Sequence, residues 1–209
     1  VITGNTVIDA LFDSINVVEN SGYSNDEISW LQTELSFDKK IILVTGHRRE
    51  NHGQGFLNIC EALLKISEFD NVQVVYPVHL NPHVKDVVYE KLSGNANIKL
   101  IKPLSYPSFI WLMNKAKIIL TDSGGIQEEA PSLGKPVLVM RDSTERPEAV
   151  TAGTVILVGT DTDKIFRECN ELLTNEVHYK RMSMLSNPYG DGKSSQKIVD
   201  FIKNYFKIE

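Results

Sequence analysis

The sequence is poor in cysteine and has no long apolar run. Its two cysteines, Cys60 and Cys169, lie far apart in stretches with helical apolar spacing, which argues against a disulfide framework and predicts two buried, reduced thiols. No apolar run of about 18 residues and no signal peptide is present, so we expect a cytoplasmic protein with no membrane partner. The chain opens in mid-pattern at Val1. We interpret it either as a processed protein or as one domain of a longer polypeptide.

An excess of positive charge is also absent. The 27 acidic residues outnumber the 22 basic ones, which gives a net charge of −5. This balance argues against a nucleic-acid partner held by broad electrostatics but leaves room for a local anion site. No spacing of histidine, cysteine and carboxylate side chains matches a metal site. With 42% hydrophobic residues, the chain can bury one sizeable core.

Short apolar runs alternate with helical segments through most of the chain. Two helical segments come first, at 5–12 and 26–35, and Asp26 is expected to cap the second. Six runs rich in β-branched residues predict buried strands at 41–45, 72–78, 98–101, 117–121, 137–140 and 155–158. The segments between them predict helices at 56–67, 82–92, 106–115, 126–133 and 147–152.

From residue 163 onward the pattern is helical, with a turn-rich break at 187–192 before a terminal helix at 194–206. The alternation that precedes it predicts an α/β fold, a Rossmann-like parallel sheet with helices on both faces. In such sheets ligands bind beyond the carboxyl ends of the strands, so the loops that follow the strands are the candidate functional segments.

The segment 121–130 carries the strongest local signal. A buried strand runs into Ser123, Gly124 and Gly125, and a helix starts at once, with Ser123 placed to cap it. Paired glycines allow a phosphate to approach the backbone, and the N–H groups of a helix start favour negative charge. A tight turn that binds nothing explains this segment alone equally well. Glu128 and Glu129 favour the binding site, since a carboxylate there could accept hydrogen bonds from ribose hydroxyls.

A second candidate loop follows the first strand and contains Gly46, His47, Arg48, Arg49 and Glu50. Adjacent arginines can clamp phosphates, and His47 could stack, hydrogen-bond to a phosphate or transfer a proton. A solvated charged loop is the alternative, and it is the commoner arrangement for an isolated segment of this kind.

Three other loops are expected at the same sheet edge, at 76–82, 103–109 and 141–148. Pro147 suits the first position of a helix, which places Arg146 at its electropositive end. Phe109 lies near the start of an apolar helix, where core packing is the commoner role and packing against a planar base is the alternative.

Five of these segments together resemble, in order, the carboxyl-terminal half of bacterial non-hydrolysing UDP-N-acetylglucosamine 2-epimerases. They are Gly-His-Arg-Arg-Glu at 46–50, Tyr-Pro-Val-His-Leu-Asn-Pro at 76–82, Thr-Asp-Ser-Gly-Gly-Ile-Gln-Glu-Glu-Ala-Pro at 121–131, Arg-Asp-Ser-Thr-Glu-Arg-Pro-Glu at 141–148 and Asn-Pro-Tyr-Gly-Asp-Gly at 187–192. Each motif alone is weak, but five in order are specific. The resemblance extends from Val1 to the terminal helix.

The resemblance implies one Rossmann-like nucleotide-sugar-binding domain over 1–209, the second domain of a two-domain GT-B architecture, with a terminal helix at 193–209 that crosses back to the first domain. It also implies the residues that bind the UDP-sugar. Ser123, Gly124 and Gly125 would bind the diphosphate, Glu129 the ribose, Phe109 the uracil, Leu104 the uracil edge through its main chain, and Arg146 and His47 the phosphates or the sugar. His47 is the candidate catalytic residue, whereas the roles of Arg48, Arg49 and His79 stay open.

The family's reaction interconverts UDP-N-acetylglucosamine and UDP-N-acetylmannosamine. As the resemblance implies it, a base removes the C2 proton, UDP leaves, and UDP returns after C2 is protonated on the opposite face. This domain would hold UDP as the leaving group, with no cofactor and no metal, whereas the groups that move the C2 proton are expected in the amino-terminal domain. We therefore expect the chain alone to be inactive and the full-length enzyme to be a homodimer.

Two other function classes remain open. A non-catalytic module that senses UDP-sugars would need no second half, and the donor domain of a GT-B glycosyltransferase would share the fold. Hydrolysing epimerases, which release free N-acetylmannosamine, would share much of the site. A UDP titration beside an epimerase assay separates binding from turnover, and an assay with candidate acceptors tests for glycosyl transfer.

Overall fold

The computed structural model describes residues 1–20 and 22–207 of the chain. Its strands are β1 (Lys40–Thr45), β2 (Val72–Pro77), β3 (Ile98–Ile101), β4 (Ile118–Thr121), β5 (Val137–Val139) and β6 (Val155–Leu157). Its helices are α1 (Thr6–Asn20), α2 (Asp26–Glu34), α3 (Gln54–Ser67), α4 (Pro82–Leu92), α5 (Tyr106–Lys115), α6 (Gly124–Glu129), α7 (Pro147–Ala152), α8 (Thr162–Thr174), α9 (Glu176–Ser183) and α10 (Ser194–Phe206). Short 3₁₀ helices lie at Arg49–Asn51 and Ala130–Leu133.

The strands form one parallel sheet in the order β3-β2-β1-β4-β5-β6. The chain builds outward from β1 to β3 and then returns to pair β4 with the other side of β1, which sets Thr45 opposite Thr121. The connections therefore diverge between β1 and β4, and open α/β sheets bind their ligands at this position. The topology confirms the predicted Rossmann-like α/β fold.

Helices cover both faces of the sheet because alternate side chains of each strand point to opposite faces. In β1, Ile42 and Val44 pack in one apolar cluster with residues of α3, α4 and α8. Ile41 and Leu43 pack in a second cluster with residues of α1, α2 and α5. The two clusters hold the sheet as a rigid central layer, and its carboxyl edge presents the loops.

Both cysteines are buried, as predicted, and both belong to the first cluster. Cys60 and Cys169 are unbonded and buried, and burial raises the pKa of each thiol to about 12. They are therefore inert core residues at neutral pH. Within the described residues no helix has the length and apolar character needed to cross a membrane.

Most predicted boundaries agree with the structure within two residues, and α4, α5, α7 and α10 begin at the predicted positions. The first helix is longer than predicted: it continues to Asn20 because Ile15 and Val18 extend its apolar face onto the second cluster. The predicted cap of α2 was wrong. Asn25 caps that helix, with its Oδ1 accepting from the N–H of Glu27 at 2.8 Å and of Ile28 at 3.2 Å.

The N-terminus of α10 is capped by a side chain from the other end of the chain. Asp9, on α1, accepts hydrogen bonds from the backbone N–H of Ser194 at 3.1 Å and of Ser195 at 2.7 Å. A carboxylate at this position satisfies helix N–H groups that have no partner within the helix. The first and last helices are therefore joined through a charged cap, close to the loops that carry the site.

We predict that Asp9→Ala lowers the free energy of unfolding by about 1 kcal/mol, the usual effect of losing an N-cap acceptor. Urea unfolding followed by circular dichroism measures this change. Asp13→Ala is the matched control, since Asp13 lies one turn further along the same helix and is exposed. Equal stability of the two variants would show that the cap contributes nothing to the fold.

Candidate functional site

A buried carboxylate, Asp122, joins the loops that follow β1 and β4. Its side chain is fully buried. Oδ2 accepts hydrogen bonds from the backbone N–H of His47 at 2.9 Å, the backbone N–H of Arg48 at 2.8 Å and Nδ2 of Asn51 at 3.2 Å. Three donors on one oxygen compensate the burial of a negative charge. The β1 loop is thereby held against the end of β4.

His47 lies above this carboxylate, at the tip of β1. Its Nδ1 is 3.3 Å from Asp122 Oδ1, and 43% of its side chain is exposed. The ring stacks on His79, which follows β2, with centroids 5.5 Å apart. The buried hydroxyl of Tyr76 donates to the carbonyl of Gly46 at 3.1 Å and supports the residue before His47. A carboxylate beside Nδ1 favours a proton on that nitrogen, which leaves Nε2 as the nitrogen for a ligand.

Three arginines converge on this edge of the sheet, and one of them has a structural role. Arg141 is buried, and its guanidinium donates to Glu50 at 2.6 Å and to both oxygens of Glu145, at 2.5 and 3.0 Å. It therefore ties the β1 loop to the loop that follows β5. The pKa of Glu145 is lowered to about 2, first by its hydrogen bonds to Arg141.

The other two arginines face the start of α6. A methyl group placed on Gly124 would lie 3.8 Å from Arg146 Nη2 and 4.0 Å from Arg48 Nη2. About a third of each arginine side chain is exposed, at 34%. Arg146 occupies the cap position of α7, directly before Pro147, as the sequence predicted. Two guanidiniums thus approach the space over a glycine, where a phosphate can contact both.

The two adjacent carboxylates of α6 have different partners. Glu129 accepts a hydrogen bond from the hydroxyl of Tyr106 at 2.7 Å, and burial raises the pKa of its carboxyl. Glu128 accepts from Arg146 Nε and, on its other oxygen, from Asn5 Nδ2 at 2.6 Å. Residues one apart on a helix point about 100° apart. Glu129 therefore faces the start of α5, and Glu128 faces the start of α7.

The remaining predicted residues lie along the same edge. Leu104 and Phe109, before and within α5, are half-buried against the second apolar cluster, so Phe109 contributes to the core and keeps an exposed part. The hydroxyl of Ser123 was expected to cap α6, and this was wrong. Ser123 occupies the cap position, but in the described structure its hydroxyl makes no cap hydrogen bond, and its N–H donates to Thr121 Oγ1 at 3.0 Å.

Sequence reasoning missed three residues of this site. Asp122 lies inside the recognised motif, and its position directly after a buried strand was a usable signal. Tyr106 is an exposed aromatic residue at the start of a helix. Nothing in the surrounding sequence indicates that its hydroxyl contacts Glu129, 23 positions away. Asn5 carries no local signal at all, because its partner Glu128 lies 123 positions away.

We predict that Asp122→Asn lowers the free energy of unfolding by about 2 kcal/mol or more, since hydrogen bonds to a buried charge contribute about 1.5–3 kcal/mol. The substitution removes the negative charge that the three donors on Oδ2 contact, and an amide oxygen in place of Oδ2 leaves the NH₂ group beside His47 Nδ1, which lies 3.3 Å from Oδ1. Urea unfolding measures the change.

Asp86→Asn, an exposed substitution on α4, serves as the control and should change stability by less than about 0.5 kcal/mol. Equal free energies of unfolding for the two variants would mean that Asp122 does not hold the β1 and β4 loops together.

Comparisons with known proteins match this chain to one family. Residues 1–203 match the family model described as UDP-N-acetylglucosamine 2-epimerase. The UDP-N-acetylglucosamine 2-epimerase of Salmonella typhimurium is 56% identical over 205 residues, which is 98% of this chain and 54% of that protein. The chain thus spans about half the length of the curated relatives it matches.

Solved structures give the same result. The epimerase of Neisseria meningitidis bound to UDP-GlcNAc matches with a TM-score of 0.88 and 45% identity, over 98% of this chain and 55% of that one. Staphylococcus aureus MnaA in complex with UDP matches with a TM-score of 0.85 and 44% identity, over 100% of this chain and 55% of that one. The sheet order, the motifs and these matches together show that this chain belongs to the UDP-N-acetylglucosamine 2-epimerase family.

Proposed function

We propose that this chain is the UDP-binding half of a UDP-N-acetylglucosamine 2-epimerase that interconverts UDP-N-acetylglucosamine and UDP-N-acetylmannosamine. Family membership supports the reaction, and relatives solved with UDP-GlcNAc or UDP support the ligand. The observation that carries the proposal is the approach of Arg146 and Arg48 to the space over Gly124. This arrangement suits a diphosphate at the divergence of β1 and β4.

The site has two ends that match the two ends of UDP. Gly124, Gly125, Ser123 and Arg146 would bind the diphosphate. Glu129, which accepts from Tyr106, would accept hydrogen bonds from the ribose, and the neighbouring Leu104 and Phe109 would contact the uracil. The raised pKa of Glu129 has a consequence for binding. Protonation removes an acceptor for ribose hydroxyls, so affinity for UDP should fall with decreasing pH earlier than it would beside an ordinary carboxylate.

The chemical task of this half is to stabilise a leaving group. When the C2 proton is removed and the C1–O bond breaks, the electron pair of that bond leaves with the β-phosphate of UDP. Cations that are already in position stabilise this charge as it develops. Arg146 suits that role, and His47, which Asp122 holds in place, would hydrogen-bond to the phosphates or the sugar. Interactions that strengthen in the transition state raise the rate of elimination and of its reversal.

The rest of the active site would come from the amino-terminal part of the full-length protein. An exposed apolar surface on this chain supports a covered position in a larger molecule. On α10 the side chains of Val199, Phe201, Ile202, Tyr205 and Phe206 are 44–70% exposed. Clustered exposed apolar residues of this kind mark interaction surfaces. We propose that this helix packs on the other domain, as predicted for 193–209, although positions 208 and 209 lie outside the described residues. A homodimer of the full-length enzyme stays a prediction.

We predict that Gly124→Ala keeps the fold but weakens UDP binding by about tenfold or more, a loss of about 1.4 kcal/mol. The added methyl makes only ordinary contacts, at 3.8 and 4.0 Å, and alanine stabilises a helix relative to glycine by up to about 1 kcal/mol. The same methyl occupies the space between the two guanidiniums that a phosphate oxygen needs. Calorimetric titration and thermal unfolding measure the two effects separately.

An unchanged affinity in a folded Gly124→Ala variant would contradict the phosphate site. Lost affinity together with a lowered melting temperature would instead indicate general damage, so both quantities are required. Wild-type chain that binds no UDP at millimolar concentration would overturn the proposal itself.

We also predict that the chain alone catalyses no exchange of the C2 proton. The leaving group is held by this half, whereas the C2 base must lie within hydrogen-bond reach of the proton. Incubation with UDP-N-acetylglucosamine in deuterated water, followed by NMR, measures exchange at C2. Exchange by the 209-residue chain would place a competent base within it, and its loss in His47→Asn would identify that base.

A further inference from the structure

Glu128 lies between the proposed phosphate site and two segments that are distant in sequence. One carboxylate oxygen accepts from Arg146 Nε, the other accepts from Asn5 Nδ2 at 2.6 Å, and the main-chain oxygen accepts from Asn187 Nδ2 at 2.7 Å. The residue is only 8% exposed. A buried carboxylate with one partner on each oxygen has little rotational freedom. Asn5 therefore fixes the orientation in which Glu128 meets Arg146.

These partners are also joined to one another. The N–H of Asn5 donates to the carbonyl of Tyr189 at 2.7 Å. The hydroxyl of Tyr189 donates to Glu148 at 3.1 Å, and Glu148 lies in the first turn of α7, two residues after Arg146. A closed circuit of contacts thus connects Asn5, Glu128, Arg146 and Tyr189. A displacement of Asn5 would therefore alter its hydrogen bonds to Glu128 and Tyr189.

The segment around Asn5 leads into α1, and Tyr189 lies in the turn that leads into α10. The two helices are joined by the Asp9 cap. Val1 and Ile2, just before this segment, are 89% and 100% exposed. The apolar residues of α10 are also exposed, though less so. Under the proposed function, α10 packs on the other domain, and the segment around Asn5 is joined to α10 through Asp9 and the turn at Tyr189.

We propose that Glu128 is a positioning residue that links the Asn5 segment to Arg146, so that a movement of this segment changes the position of the guanidinium over Gly124. The inference rests on the proposed function for its biological meaning, since Arg146 is there the arginine that contacts the leaving group. The physical link itself depends only on the contacts of Glu128. The two hydrogen bonds on the Glu128 carboxylate form a contiguous path from Asn5 to Arg146, and such hydrogen-bond paths can carry energetic coupling between separate sites.

The test uses two substitutions at Asn5 that keep its second role. Asn5 Oδ1 accepts from the N–H of Val7 at 3.1 Å and so begins α1. Asn5→Ser and Asn5→Asp both retain an oxygen for this cap. Serine places its hydroxyl one bond closer to the backbone than Nδ2 and so shortens the donor's reach to Glu128, and aspartate replaces the donor with a carboxylate that repels Glu128. Asn16→Ser, at an exposed position on the same helix, is the matched control.

Two quantities are measured on the 209-residue chain: UDP affinity by calorimetry and the Nε–Hε NMR resonance of Arg146, assigned with Arg146→Lys. We expect Asn5→Ser to weaken UDP binding by about three- to tenfold, Asn5→Asp to weaken it more, and both to shift the Arg146 resonance. In a Glu128→Gln background, Asn5→Ser should change the UDP affinity and the Arg146 resonance less than it does in the wild type. The reason is that the carboxylate that connects Asn5 with Arg146 is already replaced. Asn16→Ser should change neither quantity.

The proposal is overturned if folded Asn5→Ser and Asn5→Asp leave the Arg146 resonance in its wild-type position. This holds even if UDP affinity falls, because the loss of affinity would then not pass through the arginine. If the wild-type chain binds no UDP, the proposed function has failed, and the resonance alone decides whether Glu128 links Asn5 to Arg146.

Discussion

The site depends on one buried charge, the carboxylate of Asp122. Parallel strands β1 and β4 lie side by side, but their connections leave in different directions, which opens a crevice at their ends. Backbone N–H groups of the β1 loop would be unsatisfied in that crevice without an acceptor. Asp122 supplies it through Oδ2 and holds His47 and Arg48 in position. Asp122 thus fixes the main chain of His47, which under the proposed function contacts the phosphates or the sugar, and that of Arg48, whose guanidinium approaches Gly124.

The arginines show how the same residue type acquires different roles within one cluster. Arg141 is buried, and all three of its guanidinium nitrogens donate to Glu50 or Glu145, so it has little capacity left for a ligand. Arg146 pairs with Glu128 through Nε, and Arg48 lies 4.0 Å from Glu145. Both keep exposed surface and face Gly124. The ion pairs of buried Arg141 with the half-exposed Glu50 and Glu145 join two loops, and these loops hold the other two arginines partly exposed in a defined place.

The fold was largely predictable from the sequence, whereas the division of roles within the site was not. The strands follow from short β-branched runs between turns, and α4 and α7 begin as predicted because proline occupies an early helical position. The site loops follow from the rule that ligands bind at the carboxyl edge of such a sheet. The separate roles of Glu128 and Glu129 depend on which neighbour each one meets. Those neighbours, Asn5 and Tyr106, lie at distances in sequence that no local pattern encodes.

The short helix α6 contains most of the residues with site contacts in the 121–131 motif. Under the proposed function, its first residues must leave space for a phosphate, and a side chain at Gly124 would enter the space that Arg146 and Arg48 approach. Its last two residues must present carboxylates in different directions, one toward Tyr106 and one toward Arg146. Gln127 between them donates to the carbonyl of Ser123 at 3.1 Å and accepts from Thr144 at 2.6 Å. In six residues the helix therefore joins β4, α5 and α7, and a shift of any one of these elements alters the geometry at Gly124.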